Sequence, residues 1–164
     1  MPKRPNPSPG FRKRSPASKP AGTGRNPQPA NTAAQDKAHE AALLTRLETT
    51  HGCKLTPGQV KANDATIRVG YLNLDAGLAF EIHPKQGGLN SGVKRKISAD
   101  VLKLSLLRQH YKTTEDKDIT VGVVLGDQIS LDDYLGKKGP SWMREAARLH
   151  EVAILNLPRE QKAE

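Results

Sequence analysis

The run TIRVGYLNLDAGLAFEIHP, residues 66–84, decides the fold. Its first half alternates Ile67, Val69 and Tyr71 with Arg68 and Gly70, the period of two that marks a half-buried strand. Asp75-Ala76-Gly77 supplies a turn and Pro84 closes the run, so a hairpin joins a strand over 66–74 to one over 78–83. Along the second strand Leu78, Phe80 and Ile82 share one face, which leaves Ala79, Glu81 and His83 on the other. Two ionisable side chains are thereby set side by side on a sheet.

Working outward, residues 31–51 place Ala38, Ala41, Ala42, Leu44 and Leu47 on an apolar stripe before Gly52, the pattern of a helix with a glycine stop. Asp64, beside Asn63, reads as loop. After the glycine-rich stretch 85–92, Val93, Ile97, Val101, Leu104, Leu107 and Tyr111 recur at spacings of three and four, which predicts a long amphipathic helix entered near Asn90 or Ser91, with Ser98 a rival cap. Ile119–Leu125 is a continuous β-branched run suited to a strand covered on both faces. Ser130–Asp133 starts a brief helical turn, Gly139-Pro140 opens a further helix to about Glu151, and Val152–Leu157 is a last strand closed by Pro158. The order α-β-β-α-β-α-β implies an α/β fold: a mixed central sheet flanked by helices, antiparallel in the hairpin and parallel across the crossovers.

The first 30 residues are a different polymer. They hold Lys3, Arg4, Arg12, Lys13, Arg14, Lys19 and Arg25, no acid, and eight of the chain's twelve prolines. They carry +7 of the formal +9, so the remainder is nearly balanced in charge. With only Phe11 as a large apolar side chain, residues 1–33 are expected to be a disordered basic tail, residues 34–158 a single α/β domain, and residues 159–164 a charged end. No apolar run approaches a membrane span, and none follows the basic N-terminus as a secretory signal requires, so a bacterial or phage-like cytoplasm is expected. The lone Cys53 forms no intrachain disulfide.

No phosphate-binding glycine loop or GxSxG elbow is present, and the five histidines lack zinc-finger spacing. Trp142 reads as a core anchor with Met143 beside it rather than as a base-stacking platform. Lys96, Asp100 and Lys103, at i, i+4 and i+7, share one face of the long helix; a solvated face with Lys/Asp pairs and a functional face are both open readings.

Leu78-Ala-Phe-Glu81-Ile-His83, followed by Lys94-Arg-Lys96-Ile-Ser-Ala-Asp100-Val-Leu-Lys103-Leu, in a leading helix, hairpin, long helix and buried strand, resembles the core of the PD-(D/E)XK, or restriction-endonuclease-like, nuclease superfamily. The resemblance covers about residues 34–157. It implies a metal-dependent nuclease in which two acids bind Mg2+ or Mn2+ and a lysine positions the attacking water. Glu81 matches the second acid, and His83 stands where the motif has Lys. The resemblance also allows a catalytic lysine on the helix, which makes Lys96 and Lys103 candidates beside His83. For the first acid it offers Asp75 or Asp64 as metal ligands with Glu81. A tight hairpin argues against Asp75, because it sets Glu81 about 10 Å along the strand from the turn. Glu40 and Glu48 of the first helix face either the site or solvent.

The resulting expectations are a nuclease-like protein acting on DNA or RNA, or a non-catalytic nucleic-acid-associated or protein-interaction module whose tail tethers it to polyanion. In both, the tail contributes phosphate contacts. Deleting residues 1–30 is expected to weaken binding to duplex DNA or RNA and to flatten the slope of log K against log salt, by roughly six if all seven cations meet phosphates. An unchanged slope in a salt-titrated binding assay contradicts that role.

Overall fold

A computed structural model describes residues 32–137, 139 and 141–158. The tail cations Lys3, Arg4, Arg12, Lys13, Arg14, Lys19 and Arg25, and the 159–164 end, lie outside the described residues. Along the chain come α1 (Thr32–His51), β1 (Thr56–Ala62), β2 (Ala65–Asn73), β3 (Leu78–His83), α2 (Ser91–Thr114), β4 (Thr120–Leu125), α3 (Gln128–Leu135), α4 (Trp142–Leu149) and β5 (Ala153–Asn156). The strands form one sheet in the order β1-β2-β3-β4-β5. The pairs β1/β2 and β2/β3 are antiparallel, and β3/β4 and β4/β5 parallel. The fold is therefore α/β with a mixed sheet between helices.

Each face has its own core. Leu78, Phe80 and Ile82 of β3 pack with Val124 against Leu43 and Leu47 of α1. Ala79, Val121, Val123 and Leu125 pack on the opposite side with Ile97, Val101, Leu104 and Leu107 of α2 and with Tyr134 and Ala147 of α3 and α4. The period-two reading of β3 and the three/four spacing of α2 are both reproduced, and Asn90 is the α2 cap, its side chain accepting from Val93 N at 2.9 Å. In α1 the buried pair is Leu43 and Leu47, whereas Ala38 and Ala41 are exposed, because the larger side chains gain more by burial.

The chain has one strand and one helix division beyond the expected order. β1, TPGQVKA, contains a proline, a glycine and a register shift between Thr56 and Gly58, and buries only Val60 and Ala62. It is an edge strand, which needs few apolar positions and shows little alternation. The second correction concerns Trp142, which is 71% exposed rather than a core anchor; Ala147 supplies the buried contact of α4.

The connection from β3 to α2 is braced by two carboxylates of the β4–α3 region. Asp127 accepts Ser130 N at 2.8 Å as the α3 cap and Gly87 N at 2.9 Å. Asp133 accepts Leu89 N at 2.7 Å and Lys94 Nζ at 3.0 Å. The Leu89 amide and then Lys94 hold Asp133 below the usual carboxyl value; at Asp127 burial pushes upward but the Ser130 and Gly87 amides outweigh it. A carboxyl depressed on folding adds stability that is complete above its unfolded value, about 4, and lost as pH falls through the folded value. Asp133→Asn is therefore expected to melt below the native protein at neutral pH, with the gap narrowing below about pH 4. A gap independent of pH in thermal melts contradicts this.

Candidate functional site

Glu81 and His83 lie on the β3 face that α2 covers, with side chains only 14% and 11% exposed. A carboxylate so placed needs a charged or donating partner. The partners come from α2: Lys103 Nζ donates to Glu81 Oε1 at 2.5 Å and meets Asp100 Oδ1 at 2.8 Å, and His83 Nε2 donates to Asp100 Oδ2 at 2.8 Å. The result is a continuous chain Glu81–Lys103–Asp100–His83. Its geometry follows from local structure, since two residues of strand advance about 6.6 Å and three residues of helix about 4.5 Å, so each strand side chain finds its own helix partner.

Glu81 has a second anchor. The β2/β3 register runs from Asn73↔Leu78 to Tyr71↔Phe80 and ends there, and Gly70 N–H donates to Glu81 Oε1 at 3.0 Å instead of to backbone. The core-facing positions of β2 change phase at this glycine: Ile67 and Val69 before it, and Leu72 and Leu74 after it, belong to the same core. A Cβ at residue 70 would lie 2.7 Å from Glu81 Oε2, so the bound carboxylate requires glycine there.

The electrostatics reinforce the cluster. Burial pushes Asp100 upward, but the hydrogen bonds from His83 and Lys103 outweigh it and hold the carboxyl below its usual value. Burial pulls Lys103 downward, and its bonds to Asp100 and Glu81 hold the ammonium above the usual lysine value. Across the sheet, Tyr71 donates its hydroxyl to Glu40 Oε1 at 2.5 Å. Burial, then Glu40, then the charge of Glu81 push that phenol well above its ordinary value.

The other sequence candidates stand apart. Asp75 is in the β2–β3 turn, where Gly77 N bonds to Leu74 O, and so lies about 10 Å along the strand from Glu81. Asp64 is in the two-residue turn between Ala62 and Ala65, about 20 Å of strand from Gly70. Neither shares a cation with Glu81. Lys96 is exposed and joins none of the four groups: it lies on the same helix face as Lys103 but seven residues, about 10.5 Å, nearer the start of α2. Glu48 holds Leu55 N and Lys54 Nζ, both at 2.9 Å, at the end of α1. The carboxylate that does approach Glu81 is Asp100, visible in the sequence only as part of a charged helix face. Gly70 was signalled by being a glycine inside a strand.

No group of three or more His, Cys, Asp and Glu capable of holding a metal occurs among the described residues. The donors present are two carboxylates whose Oε1 and Oδ1 both touch one ammonium, and so stand no more than about 5 Å apart, within reach of a cation with oxygens at roughly 2.0–2.6 Å. Mg2+ is characteristically held by one or two carboxylates with waters, so Glu81 and Asp100 are the residues that could hold it here, in place of the Lys103 ammonium that bridges them at 2.5 and 2.8 Å. No helix among the described residues is long and apolar enough to cross a membrane. Comparison with family models, with curated proteins and with solved structures finds no match to the chain.

Gly70→Ala is expected to displace the Glu81 carboxylate and lose its amide bond, lowering unfolding free energy by about 1–3 kcal/mol in denaturant titrations. Native stability in that variant, with the amide of residue 70 still protected, contradicts the close approach.

Proposed function

We propose that the domain is a nuclease-like module acting on nucleic-acid phosphodiesters, with Glu81, Asp100, Lys103 and His83 as its site and the N-terminal cations as its means of holding DNA or RNA. The observation that carries the reading is Lys103 of α2 resting on Glu81 of β3. This pairs an acid with a lysine as the resemblance to PD-(D/E)XK nucleases requires, although the lysine comes from the helix and not from position 83. Glu81 and Asp100 would hold Mg2+ or Mn2+, which supplies neutralisation of charge on the phosphate when bound. Lys103 places a cation where a phosphate oxygen gains charge. With Nε2–H of His83 held by Asp100 Oδ2, Nδ1 is the ring nitrogen through which His83 would accept a proton from water. Such a protein fits a cytoplasm of bacterial or phage-like kind, where nucleic acid is held.

A second reading is favoured by the closure of the cluster: Lys103 already compensates both carboxylates, and no buried side-chain polar atom among the described residues lacks a partner. On that reading the four groups brace α2 on the sheet and the module binds nucleic acid or protein without cleaving.

Incubating the full chain with duplex and single-stranded DNA and RNA plus Mg2+ or Mn2+ separates the two. The nuclease reading expects metal-dependent cleavage that Glu81→Gln and Lys103→Met each reduce by at least about 100-fold. Absence of cleavage with retained binding supports the second reading, and cleavage untouched by Glu81→Gln removes the site.

A further inference from the structure

Lys103 holds the place that a shared divalent cation would need. Its Nζ lies 2.5 Å from Glu81 Oε1 and 2.8 Å from Asp100 Oδ1, the two oxygens near enough to share a metal. Oε1 also accepts the Gly70 amide at 3.0 Å, so both acceptor positions of that oxygen are filled. A cation at roughly 2.0–2.6 Å from it must displace one of the two donors. The amide is fixed in the backbone of β2, whereas the ammonium ends a flexible four-carbon stem. Lys103 is therefore the member that moves.

The carboxylates stay aimed when the ammonium leaves. Glu81 keeps the Gly70 amide, and Asp100 keeps His83 on its other oxygen, Oδ2, at 2.8 Å. The side chains of Glu81 and Asp100 are 14% and 16% exposed against 29% for Lys103, so the lysine has the readier way out to solvent. Its departure carries a condition. The residues three and four positions from Lys103 on α2 are Ala99, Asp100, Leu106 and Leu107, so its own helix offers no second acid within a turn. A divalent cation without an accompanying anion would leave the ammonium unpaired beside like charge. A phosphodiester oxygen removes that cost by taking the ammonium as the carboxylates take the metal. We propose that Lys103 is a latch on the metal pair: ammonium and divalent cation exclude one another, and a nucleic-acid phosphate that draws the ammonium away opens Glu81 and Asp100 to Mg2+ or Mn2+. Metal and nucleic acid then bind with positive coupling, each raising the affinity for the other by the same factor. The latch rests on the nuclease reading for its metal pair and adds the regulation of that pair by substrate.

Mn2+ binding to the full-length protein, followed by loss of the free-ion paramagnetic resonance signal, tests the latch. The binding counted is the part that Glu81→Gln abolishes, with the DNA-only blank subtracted. Lys103→Met, checked for native circular dichroism, is expected to bind Mn2+ at least about tenfold more tightly than the native chain. A lysine that only braces the pair gives the opposite sign, since its loss loosens both carboxylates. A short DNA duplex is expected to tighten Mn2+ binding by the native chain by a similar factor and to leave that of Lys103→Met unchanged. Both chains keep the N-terminal cations, so ions gathered by DNA held on the tail cancel in the comparison. Equal or weaker Mn2+ binding by a folded Lys103→Met overturns the latch, as does an equal effect of DNA on both chains. If Lys103→Met does not fold, the native chain decides: Mn2+ binding that DNA leaves unchanged overturns it. Gel analysis of the same mixtures keeps the two proposals apart. Cleavage beside equal affinities removes the latch alone, and tighter binding by Lys103→Met with no cleavage by the native chain removes the nuclease reading alone.

Discussion

Parallel pairing of β3 with β4 forces the chain between them to cross one face of the sheet, and the site depends on that constraint. The crossing segment is α2, and the face it crosses carries Ala79, Glu81 and His83. An apolar helix face alone would strand a carboxylate there at a cost of several kcal/mol. α2 instead turns Ile97, Val101, Leu104 and Leu107 into the core and, at the border of that stripe, delivers Asp100 and Lys103 to the two strand side chains. The same helix thus packs the sheet and compensates its charges.

The strand neighbouring β3 adapts to the same carboxylate. β2 shifts phase at Gly70, which frees an amide for Glu81 and removes the side chain that would collide with it. Glu81 is held from two directions, by backbone and by lysine, so its orientation is set before any ligand arrives. Preorganised charge of this kind is what phosphodiester chemistry draws on, because donors already aimed at developing charge need not reorganise.

Much of the scaffold was legible because burial imposes periods. The alternation through residues 66–69 and 78–83 and the three/four spacing from Val93 to Tyr111 are direct consequences of one-sided packing and form as read, whereas Tyr71, read on the face of Ile67 and Val69, packs on the α1 side because β2 changes phase at Gly70. β1 was not legible, since an edge strand with Pro57 and Gly58 buries too little to leave a pattern. Of the site, Glu81, His83 and Lys103 follow from face assignment on a strand and a helix. The role of Asp100 does not, because helical spacing places it beside Lys96 and Lys103 alike and only the tertiary crossing decides which lysine lies level with Glu81. The two-carboxylate set implied through Asp64 or Asp75 failed for a local reason, as both are turn residues at opposite ends of β2. Trp142 misleads in another way: its size suggests core, whereas the small Ala147 fills the contact and leaves the indole outside.

The account rests on direct coupling between Glu81 and Lys103, and a double-mutant cycle on unfolding free energy measures it. With Glu81→Gln, Lys103→Met and the double variant followed by denaturant titration at neutral pH, an interaction energy of about 1–3 kcal/mol is predicted, the single losses exceeding what remains when both partners are gone. Additivity within about 0.5 kcal/mol would mean that the two side chains do not act on one another, and that the charged seam between α2 and β3 is not what holds the site.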